Sequence, residues 1–310
     1  MRILISRLSA LGDCVCTLPV AVALKQHFPE SHITWAVDPR FSGVVECCPL
    51  VDTVIKVKPG FSPKSWPRLG SFDVALDMQG LSKSGLVVLL AKAPKKLGYH
   101  WQRELAPFFS SRIIPDVSSL HVVDQYLDVA RFLGCPMERA EFNLVPQNED
   151  RIQMTDLLKS EGVNGPFVVM NAGAGWITKR WPPLHFAVLN DLLAEKGIQT
   201  VLIGGKAKGD IDAAQAVISN CTKPTINLLG KTNIKQLISL ISLSNAHIGG
   251  DTGSTHIAAA LGTPAVGLYS ITKPIRSCPY GQIDKCHYSP ISLAEIQPTD
   301  VYTTVLECLK

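Results

Sequence analysis

Several common sequence signatures are missing from this chain of 310 residues. No two of its nine cysteines form a CxxC pair, so a zinc or iron–sulfur site has no support. No apolar run approaches the ~20 residues of a membrane-spanning helix, since the longest, at residues 86–93, is interrupted by Lys92. The net charge is only +4, which excludes a nucleic-acid footprint for the whole chain. The first residues enter a strand pattern without a charged-then-apolar signal segment. We therefore expect a cytoplasmic protein with reduced thiols, able to act at a membrane face.

The signature of a dinucleotide cofactor site is missing as well. An oxidoreductase of two Rossmann units requires GxGxxG after a first strand and an acidic residue ~20 positions later. Neither glycine loop of this chain, at 171–175 or at 249–253, has that spacing. One DxD spacing, which metal-dependent sugar transferases use, occurs at Asp210 and Asp212. We nevertheless expect neither a metal ion nor a resident cofactor, because basic side chains and a helix start can neutralise a diphosphate in place of a metal.

The most informative stretch present is residues 247–281, which predicts a strand, a glycine loop, a helix, a second strand and a second loop. Gly250 and Gly253 allow a tight turn and a close approach of the backbone to a ligand. Asp251 and Thr252 lie where the helix should begin, and His256 lies in its first turns. Because a helix start presents free N–H groups, the pattern indicates a phosphate or diphosphate pocket. An ordinary turn between strand and helix is the alternative.

The first half of the chain repeats the alternation of strand and helix. Asp13 follows the first strand and lies near a helix start, at the sheet edge where open α/β sheets bind ligands; an N-cap is the alternative. A strand over 72–80 predicts that Gln79, Lys83 and Ser84 lie at the same edge. Residues 96–105 add cations and aromatic rings suited to phosphates and sugars, or form an irregular surface turn. Residues 56–112 contain ten Lys or Arg against three acids, a net +7 that indicates an anionic partner or solvated faces.

A second Rossmann-like unit begins after residues 141–148. Residues 166–175 restart the strand and glycine-loop pattern. Lys179 and Arg180 follow, and a cation there would neutralise a leaving diphosphate, although a solvated basic pair before a helix is the alternative. Another strand and glycine turn, at 198–205, precedes Asp210. The pattern predicts an α/β protein with two parallel-sheet domains.

Four segments in order carry a resemblance to a known family. They are LGD at 11–13 with TLP at 17–19, DMQG at 77–80 with KS at 83–84, KRWP at 179–182, and GGDTGSTHIAAALGTPAVGLYSITKP from 249 with PYG at 279–281. The chain resembles glycosyltransferase family 9, the ADP-heptose:lipopolysaccharide heptosyltransferases. The resemblance implies the GT-B architecture, with two Rossmann-like domains of mostly parallel sheets facing a central cleft. It implies an acceptor-binding domain at 1–146, a nucleotide-sugar-binding domain at 147–296, and a helix at 297–310 that crosses back to the first domain.

The resemblance also implies roles for individual residues. Asp13 matches the general base. Asp210 matches the acid that holds the nucleotide ribose, although it lies about one residue later than in the family pattern. The implied donor-binding residues are Lys179, Asp210, Gly250, Asp251, Thr252, Gly253 and His256. The implied acceptor-binding residues are Gln79, Lys83, Ser84, His100 and Arg103.

The implied reaction is transfer of a heptose, with inversion and without a metal, from ADP-L-glycero-β-D-manno-heptose to the Kdo or heptose of the lipopolysaccharide inner core. The partners would be a nucleotide sugar and an anionic lipid A-core acceptor at the inner membrane face. Three alternatives stay open: a family 9 transferase for another nucleotide sugar, a GT-B-like nucleotide-sugar epimerase, and a nucleotide-sugar-binding protein without catalysis.

Overall fold

The structure is a computed structural model that describes residues 1–58, 66, 69–173 and 179–310. The chain divides into two compact units, Met1–Val145 and Pro146–Lys310.

The first unit is a parallel sheet of six strands with helices between them. The described strands are β1 (Arg2–Ser6), β2 (His32–Val37), β3 (Thr53–Lys56), β4 (Val74–Asp77), β5 (Lys95–Gly98) and β6 (Ser111–Arg112). The described helices are α1 (Leu11–His27), α2 (Ser42–Glu46), α3 (Ser82–Leu90) and α4 (Val122–Phe132), with a short 3₁₀ helix at Ala106–Phe108. The strand order is β3-β2-β1-β4-β5-β6, and all of these pairings are parallel.

Burial on both faces explains why the central strands are apolar runs. In β1 the side chains of Ile3, Leu4 and Ile5 are fully buried, as expected where helices cover both faces of a parallel sheet. Helix α1 is buried from Cys14 to Leu24 and packs beside α4. This core fixes the carboxyl ends of β1 and β4 side by side, because Ser6 and Asp77 are in register.

The second unit repeats the design. Its described strands are β7 (Phe167–Asn171), β8 (Gln199–Ile203), β9 (Ile226–Asn227), β10 (Ala246–Gly250), β11 (Ala265–Tyr269) and β12 (Cys286–Tyr288). Its described helices are α5 (Asn148–Ser160), α6 (Pro183–Ala194), α7 (Lys208–Asn220), α8 (Ile234–Leu243), α9 (Gly253–Leu261), α10 (Pro274–Ser277) and α11 (Pro298–Cys308). The order β12-β11-β10-β7-β8-β9, again parallel, is the same winding as in the first unit.

The last helix belongs to the core of the second unit. Helix α11 packs against α6, and its Val301 and Val305 are fully buried in the cluster that contains Val168 and Leu189. A return of this helix to the first unit, and the assignment of acceptor and donor to separate domains, stay predictions.

Strands β5, β6 and β12 were not predicted from the sequence, and residues 286–290 were expected to form a loop. Residues 96–105 were expected to carry ligand-binding cations and aromatic rings or to form an irregular surface turn, but Lys95–Gly98 forms β5 and pairs with β6, which has only two residues. The sequence pattern does not predict β5, because a four-residue segment that begins with two lysines lacks the apolar run of a buried strand.

Candidate active-site groups

Asp13 lies in the first turn of α1, at the carboxyl edge of the first sheet. Its Oδ1 is 2.6 Å from the Arg7 Nη2, and the Tyr126 hydroxyl lies 3.2 Å from the same oxygen. Its Oδ2 accepts a hydrogen bond of 3.1 Å from the backbone N–H of Ala10, as an acid at this helix position commonly does. The Asp13 side chain is nevertheless 44% exposed. The carboxylate is thus both fixed in orientation and open to a ligand.

Arg7 is buried beneath Asp13. Its guanidinium donates to the carbonyl of Met78 and, over 2.9 Å, to the Tyr126 hydroxyl, and it lies 5.0 Å from the centre of the Tyr126 ring. Burial opposes the charge, but the attraction of Tyr126 and Asp13 raises the Arg7 pKa above its ordinary value. Burial also raises the Tyr126 pKa well above its usual range, so its hydroxyl stays neutral and donates to Asp13. The buried Arg7 guanidinium is therefore a permanently charged partner of Asp13.

Gln79 and Lys83 converge on Ser9, in the loop that leads to Asp13. The Gln79 amide accepts from the N–H of Leu8 over 3.0 Å and donates to the Ser9 Oγ over 3.1 Å. The Lys83 Nζ donates to the same Oγ over 3.0 Å. Ser84 is fully buried, and its hydroxyl bonds with the backbone of Leu81 at the start of α3. The structure thus brings Gln79 and Lys83 together at the edge and places Ser84 inside.

His100 and Arg103 lie on the loop after β5. The His100 ring is 4.2 Å from the Tyr99 ring, and Arg103 is exposed, with its backbone N–H donating to the carbonyl of Gly80 over 2.8 Å. Gly80 has a φ of +71°, and a Cβ there would collide with the carbonyl oxygen of Trp101. This loop therefore packs directly on the turn that carries Gln79.

In the second unit, Asp251 links Lys179 to His256 at the carboxyl end of β10. The Lys179 Nζ is 2.8 Å from the Asp251 Oδ2, and the His256 Nε2 is 3.5 Å from its Oδ1. Burial by itself would raise the Asp251 pKa, but the hydrogen bonds and charges of His256 and Lys179 hold it well below its ordinary value. Asp251 is therefore an ionised anchor that orients a lysine and a histidine.

A cluster of hydroxyl groups surrounds the start of α9. The Thr252 Oγ1 lies 3.1 Å from the Ser254 Oγ and 3.2 Å from the Thr255 Oγ1. The Asn171 amide donates to the Ser254 Oγ over 2.8 Å, and the His247 Nε2 is 3.0 Å from the same oxygen. Thr252 is the N-cap residue of α9 but makes no side-chain cap hydrogen bond, so its hydroxyl does not occupy the first-turn N–H groups of this helix. Burial, with repulsion from His256, lowers the His247 pKa to about 3, so this imidazole is neutral.

Asp210 lies at the glycine turns that follow β7 and β8. Its Oδ2 accepts a hydrogen bond of 3.0 Å from the N–H of Gly205, and its Oδ1 is 3.9 Å from the Arg180 Nη2. A Cβ on Gly173 would lie 2.5 Å from the Asp210 Oδ1, so a larger residue there would displace this carboxylate. Residues 174 and 175 of the predicted glycine loop, and Lys64 and Arg68 of the predicted basic stretch, lie outside the described residues.

A small recess of about 10 Å³ opens beside the Lys179–Asp251 pair. Its other lining residues include Leu268, Tyr269, Ser270 and Ile271 at the end of β11. Its walls therefore combine a charged pair with apolar and hydroxyl groups.

Among the residues that the structure describes, no group of three or more His, Cys, Asp or Glu side chains is placed to hold a metal ion. In the same ranges, none of the helices has the length and apolar character needed to cross a membrane.

Sequence reasoning did not select several residues that the structure places at these sites. Arg7 and Tyr126 hold Asp13, Ser9 joins Gln79 to Lys83, and Asn171 joins β7 to the start of α9. Asn171 carried one local signal, since it begins the glycine loop at 171–175. Tyr126 carried none, since it is 113 residues from Asp13 along the chain.

Two parallel sheets of the same winding, one with an accessible carboxylate at its carboxyl edge and the other with a helix N-terminus, a lysine and a histidine, match the GT-B fold of solved heptosyltransferases. Residues 67–307 match glycosyltransferase family 9 (heptosyltransferase), and the chain belongs to this family. The predicted family, fold class and glycosyltransferase activity are confirmed.

Relatives and solved structures agree with this assignment. The lipopolysaccharide core heptosyltransferase OpsX of Haemophilus influenzae is 28% identical over 287 residues, covering 90% of this chain and 82% of that protein. An E. coli heptosyltransferase solved with ADP is 25% identical with a TM-score of 0.80, covering 99% of this chain and all of that one. The family 9 glycosyltransferase of Veillonella parvula has a TM-score of 0.89 at 23% identity, covering 99% and 97% of the two chains.

Proposed function

We propose that this protein transfers a heptose, with inversion, from ADP-L-glycero-β-D-manno-heptose to a Kdo or heptose residue of the lipopolysaccharide inner core. Family membership and the similarity to OpsX, a lipopolysaccharide core heptosyltransferase, support the sugar and the acceptor class. The E. coli relative solved with ADP supports an ADP-linked donor.

The observation that carries the proposal is the Lys179–Asp251–His256 chain at the start of α9. The donor diphosphate would lie against the first-turn N–H groups at Thr252 and Gly253, where the positive end of the helix attracts anions. Lys179 and His256, each oriented by Asp251, supply charge-assisted hydrogen bonds to the leaving ADP. Because these donors are fixed before reaction, they stabilise the charge that develops on the leaving oxygen. Gly250, which has no Cβ, would let the diphosphate approach the backbone closely. Asp210 would accept hydrogen bonds from the ribose hydroxyls.

Asp13 takes the part of general base in the proposed reaction. Its Oδ1 is held by Arg7 and Tyr126, so Oδ2 is the oxygen that receives the proton of the acceptor hydroxyl. The acceptor oxygen then forms a bond to the anomeric carbon while the bond from that carbon to the ADP oxygen breaks. Gln79, Lys83, His100 and Arg103 stay proposed acceptor residues, with Lys83 and Arg103 as the cations for an anionic sugar. Ser84 would contribute indirectly, because its buried hydroxyl orders the start of α3 through Leu81.

We further propose that charge neutralisation by Lys179, His256 and the α9 N-terminus lets the reaction proceed without a metal ion, and that the enzyme works in the cytoplasm at the inner membrane, where a lipid-linked acceptor is found. Nine free cysteines are consistent with a reducing compartment.

The test is calorimetric titration with ADP, UDP, GDP and NAD in the presence of EDTA, followed by mass-spectrometric detection of heptose transfer. Selective binding of ADP and a heptose-sized mass increase on a lipid A–Kdo acceptor are expected. A preference for UDP or GDP would keep the transferase class and reject heptose. Turnover of the donor without any acceptor would favour an epimerase, and binding of NAD alone would reject the proposal.

A further inference from the structure

The first unit displays bulky apolar side chains on its surface, concentrated at one end of the sheet. Among the described residues, the three most exposed large apolar side chains are Val117 (95%), Ile114 (88%) and Phe108 (81%), within ten positions of one another. Leu105, Leu120 and Trp101, each between 45% and 57% exposed, extend the group along the same segment. Single exposed apolar residues need no explanation, but such a concentration marks an interaction surface.

The backbone beneath these side chains is anchored. The 3₁₀ helix that ends at Phe108 packs against α3 so closely that a Cβ on Gly85 would lie 3.3 Å from the Ala106 Cα. Beyond β6, the buried Asp128 of α4 accepts hydrogen bonds from the N–H of Asp116 and the hydroxyl of Ser119, over 3.1 and 3.0 Å. The exposed side chains between these anchors are therefore held outward by ordered backbone.

The stretch of chain that contains these side chains, residues 82–120, is predominantly basic. Residues 82–120 contain six Lys or Arg and two acidic residues, which accounts for the whole net charge of +4, since the rest of the chain has 24 basic and 24 acidic residues. Lys92, Lys95, Arg103 and Arg112 are exposed. Within residues 101–120 Arg103 and Arg112 are balanced by Glu104 and Asp116, and the net positive charge comes from the four lysines between residues 82 and 96. Bulky apolar groups next to such a basic stretch of chain complement a layer of anionic headgroups above acyl chains, whereas a neutral protein partner would not require the cations.

We propose that Phe108, Ile114 and Val117, with the cations of residues 82–120, form a docking surface for an anionic lipid bilayer. The three apolar side chains enter the interface between headgroups and acyl chains, and Lys92, Lys95 and Arg112 contact the anionic headgroups. The inference extends the proposed function, because a lipid-linked acceptor gives docking a purpose, but it rests on exposure and charge within one unit.

The experiment is sedimentation of the full chain with vesicles of phosphatidylcholine containing about one third phosphatidylglycerol, without donor or acceptor. We expect binding that weakens with salt and is absent with pure phosphatidylcholine. Combining Phe108→Ser, Ile114→Ser and Val117→Ser should lower the partition coefficient by about tenfold or more, because the apolar area that enters the interface is lost. Combining Lys92→Gln, Lys95→Gln and Arg112→Gln should abolish the preference for anionic vesicles.

The control combines Ile152→Ser with Ile291→Ser, which removes two apolar side chains of the second unit that are 63% and 78% exposed. It should bind vesicles as the wild type does. Absence of wild-type binding to anionic vesicles, or equal binding by the triple serine variant, would overturn the inference. The inference would also be overturned, in favour of self-association, if the wild type formed a dimer without binding vesicles and the triple serine variant were monomeric.

The assay separates this inference from the proposed function. Asp13→Asn should bind vesicles like the wild type, and the triple serine variant should keep its turnover on an acceptor lacking acyl chains. Vesicle binding without heptose transfer by the wild type would reject only the function, whereas transfer without vesicle binding would reject only the docking surface.

Discussion

The Arg7 Nη2 lies 2.6 Å from the Asp13 Oδ1, and this contact joins a buried cation to a half-exposed carboxylate. A surface ion pair contributes little, because water screens it and both side chains lose freedom. Here Arg7 is already immobilised by Tyr126 and the carbonyl of Met78, so the pair serves mainly to orient Asp13. In the proposed reaction this contact leaves Oδ2, which accepts the backbone N–H of Ala10, as the oxygen for the acceptor hydroxyl.

Asp13→Asn should abolish most turnover while preserving donor binding. An amide cannot accept the acceptor's proton, and loss of a general base typically lowers the rate by about 10²–10⁴-fold. Initial rates and calorimetric titration with ADP measure the two effects. Asp212→Asn, on the exposed face of α7, is the matched control and should leave both unchanged. Undiminished turnover in Asp13→Asn would remove this residue from the chemistry.

Tyr126→Phe should lower turnover about threefold to tenfold without changing donor affinity. The substitution keeps the ring but removes the hydroxyl that donates to the Asp13 Oδ1, while the Arg7 contact remains. The measurement is kcat and KM for both substrates. The control is Tyr99→Phe. The Tyr99 ring packs beside the Tyr126 ring, and this substitution removes only the hydroxyl that donates to Gln125. Equal losses in the two variants would indicate a general packing effect instead of positioning of Asp13.

Lys179→Ala should weaken ADP binding by about 1.5–3 kcal/mol, the contribution of a hydrogen bond to a charged group. This corresponds to an increase in Kd of roughly 10- to 150-fold. The control is Lys208→Ala, which removes an exposed lysine of α7 that also pairs with an aspartate. Unchanged affinity for ADP in Lys179→Ala would exclude this lysine from the donor site.

His247 should make the protein less stable as the pH falls below neutrality. Its pKa is about 3 in the folded state against 6.5 for the free side chain, so the unfolded chain binds more protons between these values. The free energy of unfolding is then full above about pH 6.5 and should fall by about 2 kcal/mol between pH 7 and 5. Urea unfolding at a series of pH values measures it.

His247→Gln should remove this part of the pH dependence, because the amide does not titrate. His27→Gln, at the exposed end of α1, should keep the wild-type slope. The same slope in His247→Gln and wild type would assign the pH dependence to other groups.

Much of both candidate sites was predictable because the signals are local. The glycines and hydroxyl residues between β10 and α9 predict the turn and the helix start within eight positions, and Asp13 follows the first strand directly. The pairing of Lys179 with Asp251 was not predictable from spacing, since 72 residues separate them. Strands β5 and β6 escaped prediction because they are short and begin or end in charged residues, and pairing with β4 supplies the order that their own composition lacks.

By itself, the sequence determined the alternation of strands and helices, the two glycine-loop units and the family, because apolar periodicity and turn chemistry act over a few residues. Only the tertiary structure decided which side chains hold Asp13, that Ser84 is buried while Gln79 and Lys83 converge on Ser9, and that Val117 and Phe108 are exposed. The physical reason is that burial and contact between distant segments follow from the packing of the sheet and its helices. Local sequence patterns do not encode those distances.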